Sequence, residues 1–158
     1  MPGTTIRKKP FIGVIGAGQC SWEMKELAER VGRAIAENNA ILVCGGLGGV
    51  MAAAAKGAKS KNGMTIGILP GDSKNEANEF IDLAIPTGIG DARNLIIVKT
   101  ADAIVALPGK YGTLSEMAFC MKLKKPLVSL SAWDISETIE KFKNPIKAVK
   151  RAIELAGR

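Results

Sequence analysis

The chain has 158 residues, 47% of them hydrophobic, and a formal net charge of +7. That length suits one domain spanning 1–158, and the composition supplies a full core and excludes general disorder. No apolar run approaches the ~18 residues of a membrane span, and the absence of histidine excludes imidazole acid–base chemistry and imidazole metal ligands.

Residues 1–9 are basic and read as a short flexible tail. Strand-like residues follow them without a small-residue cleavage site, so they do not make a signal peptide. Phe11–Ile15 is a predicted strand that stops at Gly16-Ala17-Gly18. Ser21 is a cap for a helix from Trp22 to about Asn38, with Met24, Leu27, Ala28, Val31 and Ile35 on one face. A second strand, Ile41–Val43, runs into Gly45-Gly46-Leu47-Gly48-Gly49. Gly48–Ser60 reads as an alanine-rich helix, Met64–Leu69 as a strand, Pro70–Glu79 as a polar loop and Phe80–Ile85 as strand-like. Asp91–Thr100 has a helical pattern and Ala103–Leu107 is a strand ending at Pro108-Gly109-Lys110-Tyr111-Gly112-Thr113. A helix over Thr113–Lys124 follows, then a strand at Leu127–Leu130. Asn144-Pro145 supplies a cap and a first-turn proline for a last helix ending near Gly157.

The strands are apolar throughout instead of alternating, which a sheet covered on both faces requires. Strand–helix alternation gives parallel strands with right-handed crossovers. The predicted class is α/β, a Rossmann-like doubly wound parallel sheet with helices on both faces. Leu95, Ile96, Ile97 and Val98 occupy nearly every direction around their helix. One face meets the sheet, and the remainder calls for a second subunit, giving a homo-oligomer (dimer or tetramer).

Two bare glycine loops, each between a strand and a helix, carry the functional signal. Such loops present backbone N–H groups to one point and attract anions, phosphate above all. Gly45, Gly46, Gly48 and Gly49 form the first, and Pro108, Gly109, Lys110, Tyr111, Gly112 and Thr113 the second. Gly16 and Gly18 begin a partial dinucleotide fingerprint, but Ser21 replaces its third glycine. The second strand ends in Cys44-Gly45-Gly46 where NAD binding needs an acidic residue, so NAD is not expected. Tyr111 after Gly109-Lys110 breaks the pattern of a triphosphate-binding loop.

Thr113 reads as the N-cap of its helix, with a hydroxyl for a phosphate oxygen. Glu116, three residues on, suits either a capping box or a carboxylate beside the phosphate pocket. Arg93 suits either an oxyanion clamp or a solvated pair with Asp91. Cys20, Cys44 and Cys120 are odd in number and widely spaced, which fits a reducing cytoplasm and offers neither disulfides nor a metal site. Trp22 and Trp133 read as packing residues. The basic residues are scattered and only 4% of the chain is aromatic, so nucleic acid is not an expected partner.

Val43-Cys44-Gly45-Gly46, Gly49, Arg93 and Pro108-Gly109-x-x-Gly112-Thr113-x-x-Glu116 together resemble the "Lonely guy" (LOG) superfamily, long labelled lysine decarboxylases. The likeness spans roughly Phe11 to Leu130. Within it, the ending KKPLVSLSAWD is most similar to the molybdenum-cofactor carrier branch. The resemblance implies a Rossmann-like oligomer that seats a phosphate-bearing ligand near Gly45–Gly49 and Gly109–Thr113. Two functions follow. One is a binding protein for a nucleotide or molybdenum cofactor, with no cofactor required for its own work. The other is a phosphoribohydrolase that cleaves nucleoside 5′-monophosphates with Glu116 and Arg93. Lys110 stands where the hydrolase motif has its second glycine. Lysine decarboxylation would need pyridoxal phosphate, for which the chain shows no context.

Overall fold

A computed structural model describes residues 9–158; the predicted tail lies, except for Lys9, outside the described residues. Seven strands form one parallel sheet: β1 (Phe11–Ile15), β2 (Ile41–Cys44), β3 (Thr65–Leu69), β4 (Leu83–Pro86), β5 (Ala103–Ala106), β6 (Leu127–Ser129) and β7 (Glu140–Lys141). Their spatial order is β4-β3-β2-β1-β5-β6-β7. Five helices connect or flank them: α1 (Trp22–Glu37), α2 (Val50–Ser60), α3 (Arg93–Thr100), α4 (Tyr111–Leu123) and α5 (Pro145–Ala156). The doubly wound α/β class holds.

Alternate strand residues feed two cores. Ile12, Val14, Leu42, Ala103 and Val105 pack with α1, α2 and α5 through Ala28, Val31, Ile35, Ala54 and Val149. Ile15, Ile41, Val43, Ile104 and Ala106 pack on the other face with Ile97 and Val98 of α3 and Met117 of α4. Each large apolar side chain among them contributes about 1.5–3 kcal/mol on burial, which explains strands with no polar face. The helix caps follow from local chemistry. Ser21 Oγ accepts from the Met24 N–H at 3.2 Å. Asn144 Oδ1 accepts from Ile146 and Lys147 at 2.9 and 3.2 Å, and Pro145 fills the first helical position.

Two sequence expectations need correction, and one strand was not expected. The strand placed at Phe80–Ile85 is Leu83–Pro86, because Asn78 and Asp82 hold the preceding residues in turns: Asn78 Oδ1 accepts from Phe80 N–H, and Asp82 N–H donates to Thr65 Oγ1. The edge strand β7, two exposed charged residues, has no apolar run to announce it and forms by pairing with Val128 and Ser129. Thr113 is not an N-cap. Helix α4 begins at Tyr111 with Lys110 at the cap, so Thr113 is the third helical residue.

The chain order reverses between β1 and β5. From β1 the sheet grows through β2 and β3 on one side, and from β5 through β6 on the other. The loops leaving β1 and β5 therefore part to opposite faces and leave a crevice at the carboxyl ends of the strands.

Candidate functional site at the sheet switch point

The crevice is a cavity of about 440 Å³. Its walls come from four separated stretches: Gly16 to Gln19 after β1, Gly45, Leu47, Gly48 and Met51 after β2, Asp91, Arg93 and Asn94 at α3, and Lys110, Gly112, Thr113 and Glu116 at the start of α4. The two glycine loops thus face one space, and Gly16 and Gly18 line it with them.

The other predicted residues support it from behind. The Pro108 carbonyl accepts from Ala17 N–H at 3.0 Å, and Leu107 N–H donates to the Ile15 carbonyl at 2.8 Å, so the β1 and β5 exits are zipped together. A Cβ on Gly109 would lie 2.0 Å from Thr113 Oγ1 and 3.0 Å from Ala17 N, so only glycine lets the loop close over the helix start. Gly49 is the N-cap of α2 with φ +61, and its Cβ would strike the Ala17 carbonyl at 2.3 Å. Gly46 holds φ +78, and its carbonyl accepts from the Asn78 backbone at 2.9 Å. Tyr111 does not line the cavity and is 80% exposed.

Asn78 was not among the sequence candidates. Its Nδ2 also donates to the Leu47 carbonyl at 2.8 Å. Asn78 thus ties down two carbonyls of the loop. Among the described residues, no protein acceptor engages the backbone N–H of Leu47, Gly48, Lys110 or Gly112. Unpaired amides at a helix start are groups that attract anions.

Arg93 is buried and is no solvated partner of Asp91. Its Nε donates to the Ile68 carbonyl at 2.8 Å, its Nη2 to the Gly45 carbonyl at 3.4 Å, and its Nη1 to Asn94 Oδ1. Three of its donors are committed to the protein, and the guanidinium braces the ends of β2 and β3. Asn94 Nδ2 donates to Ser115 Oγ at 3.2 Å, and Ser115 Oγ donates to the Gly112 carbonyl at 2.6 Å. A continuous chain of hydrogen bonds therefore runs from Gly45 to Gly112 through Arg93, Asn94 and Ser115.

Glu116 lies in the second turn of α4 and is buried. The capping-box alternative is removed with the shift of the helix start. Burial pushes its carboxyl from an ordinary 4.5 up to about 8, while the nearby Arg93 charge acts in the opposite direction. The two make no ion pair within 4.0 Å. Cys44 and Cys120 are buried, with their thiols pushed up to about 12 by burial, which suits fillers and not nucleophiles.

The family model for the SLOG cluster4 family matches residues 9–155. The chain belongs to that family. The structure of the molybdenum cofactor carrier protein from Chlamydomonas reinhardtii superposes with a TM-score of 0.85 and 32% identity, over 96% of this chain and 100% of that one. The molybdenum cofactor binding protein from Rippkaea orientalis superposes with a TM-score of 0.83 and 34% identity, over 91% and 95% of the two chains. A cytokinin riboside 5′-monophosphate phosphoribohydrolase from Mycobacterium tuberculosis is 35% identical over 121 residues, 70% of this chain and 64% of that protein. The resemblance to the LOG superfamily and its carrier branch holds. Among the described residues no helix is long and apolar enough to cross a membrane.

Proposed function

We propose that this protein binds a phosphorylated small molecule, a nucleotide or molybdenum cofactor, without turning it over. The observation that carries this reading is the cavity faced by the free amides of Leu47 and Gly48 on one side and Lys110 and Gly112 on the other. The phosphate sits at the start of α4, with Thr113 and the Lys110 side chain supplying a hydroxyl and a positive charge. The ligand is cargo, and no resident cofactor is needed. Similarity to two molybdenum cofactor proteins over nearly the full chain supports this choice. The test is the melting temperature of the pure protein with phosphate, AMP and molybdopterin. A ligand at 100 times its Kd stabilises the fold by about 2.7 kcal/mol. Failure of all three to shift the melt overturns the reading.

The second reading is hydrolysis of the N-glycosidic bond of a nucleoside 5′-monophosphate, favoured by the burial of Glu116 beside Arg93 in the same cavity. It is the weaker one. With its pKa at about 8, Glu116 is mostly protonated at neutral pH and serves better as a donor than as a base or a partner for an oxocarbenium ion. Chromatography of AMP after incubation decides between the readings. Release of adenine that is lost in Glu116→Ala would establish hydrolysis.

The reading includes a cytoplasmic homo-oligomer. Three free cysteines suit a reducing compartment. Ile97 and Val98 are covered within the subunit, whereas Leu95 and Ile96 are half-buried and Leu83 and Ile85 on β4 are 48% and 43% exposed. Light scattering that finds only monomer at micromolar concentration would overturn the oligomer.

A further inference from the structure

We infer that the site takes up its anionic ligand together with one proton, carried inside the cavity by the Glu116 carboxyl. The inference rests on the anion-site reading above and adds how that site is controlled.

Glu116 lines the same cavity as Lys110 and Gly112 and is only 7% exposed. Burial and the Arg93 charge act on its carboxyl, and no described residue donates a hydrogen bond to it. Yet among the described residues no fully enclosed side-chain oxygen or nitrogen is without a partner. The carboxyl oxygens are therefore not enclosed, and the space they reach is the cavity that Glu116 lines. An unpartnered carboxyl in that position meets whatever enters.

The surroundings do not neutralise it. From α3, the Arg93 donors go to the Ile68 carbonyl, Asn94 Oδ1 and the Gly45 carbonyl, and the guanidinium acts on Glu116 only at a distance. Asp91 and Lys110 line the cavity from its two rims, and both are exposed, where solvent screens them. From β1 come only the apolar Val14 and Ile15. Cys44 on β2 and Cys120 on α4 sense the Glu116 charge, but burial holds both thiols neutral up to about 12. Glu116 is thus the buried group here whose charge changes close to neutral pH, at about 8.

An ionised Glu116 would face a bound anion across a poorly solvated space, and like charges in such a site do not both persist. Protonation removes the repulsion and offers an O–H donor to a ligand oxygen. Binding therefore selects the acid form. Below about pH 8 the proton is already in place. Above it, a proton comes from solvent as the ligand enters and returns there when the ligand leaves.

The test titrates sulfate and AMP, which carry a double charge across the range, into the protein by calorimetry at about pH 7 and about pH 9, in buffers of different ionisation heat. Apparent affinity follows the fraction of protein in the competent form. The wild type is expected to bind about tenfold more weakly at the higher pH, and to take up nearly one proton per anion there. Either anion suffices for the comparison. Glu116→Gln keeps a donor without a titration and is expected to lose both the fall and the uptake. Lys110→Met removes the exposed charge, weakens binding at both pH values alike and keeps the fall and the uptake. A wild type that binds equally at both pH values without proton uptake overturns the inference and leaves the anion site standing. A fall that persists in Glu116→Gln, or that vanishes in Lys110→Met, overturns it too, because another group then carries the proton. A wild type that binds neither anion at either pH overturns the anion site and the inference with it.

Discussion

Asn94 Nδ2 donates to Ser115 Oγ at 3.2 Å, joining α3 to α4 behind the cavity. The same amide's oxygen takes the Arg93 Nη1 donor, so one buried side chain joins Arg93, bonded to Gly45, with Ser115, bonded to Gly112. Asn94→Ala leaves a buried guanidinium donor unpaired, at a cost of about 1–3 kcal/mol. Urea unfolding should register that loss, and phosphate affinity should fall with it. Ser115→Ala should cost less, and the double mutant should be less destabilised than the sum of the singles, because both act on one chain of bonds.

Glu116 gives the protein a pH dependence that no histidine can supply. Its pKa rises on folding from 4.5 to about 8. Between those values the unfolded chain has released the proton and the folded chain keeps it, so folding takes up a proton. The Glu116 contribution to stability is therefore full below about pH 4.5, falls as pH rises through this window and levels off above about 8. The fall is on the order of a few kcal/mol. Glu116→Gln keeps the shape without the titration and should flatten the curve. Urea midpoints at several pH values check this, and a mutant as pH-sensitive as the wild type would refute it.

Gly109→Ala places a methyl group 2.0 Å from Thr113 Oγ1. The second loop must lift from the helix start, and the Pro108 carbonyl must shift from Ala17. The expected result is a loss of about 1–3 kcal/mol together with loss of anion binding. Unchanged phosphate affinity in a folded Gly109→Ala protein would show that the loop's closure is irrelevant to the seat.

Asn78→Ala removes the clamp on the Gly46 and Leu47 carbonyls. Phosphate affinity should drop. Asn144→Ala is the contrasting change. It removes the cap of α5, far along the chain from every cavity residue, at about 1 kcal/mol. It should lower the melting temperature and leave the affinity as it was. Equal effects of both variants on phosphate binding would mean that the affinity merely follows global stability.

The sheet was legible in the chain because every central strand is a short, wholly apolar run, and a parallel sheet covered on two sides demands that. The glycine loops were legible for a related reason, since bare backbone has few other uses between a strand and a helix. The start of α4 was misplaced because Thr113 has the preferred chemistry of a cap, whereas tertiary packing of its side chain beneath Gly109 draws it into the helix. The Asn78 clamp and the Asn94–Ser115 link were missed because these bonds join residues 21 to 32 positions apart, beyond any local pattern. Trp133 read as packing, and its tie to Lys110 exists only once β6 has brought the two segments together.

The cavity walls come from stretches as far apart in the chain as Gly16 and Glu116. No shorter fragment holds all four stretches, and the two loops do not face one another until β1 lies between β2 and β5. A chain still emerging from the ribosome is thus blind to its ligand until the α4 segment has appeared and docked. On the proposed binding role, the ligand cannot act as a template for the folding steps that precede the docking of α4.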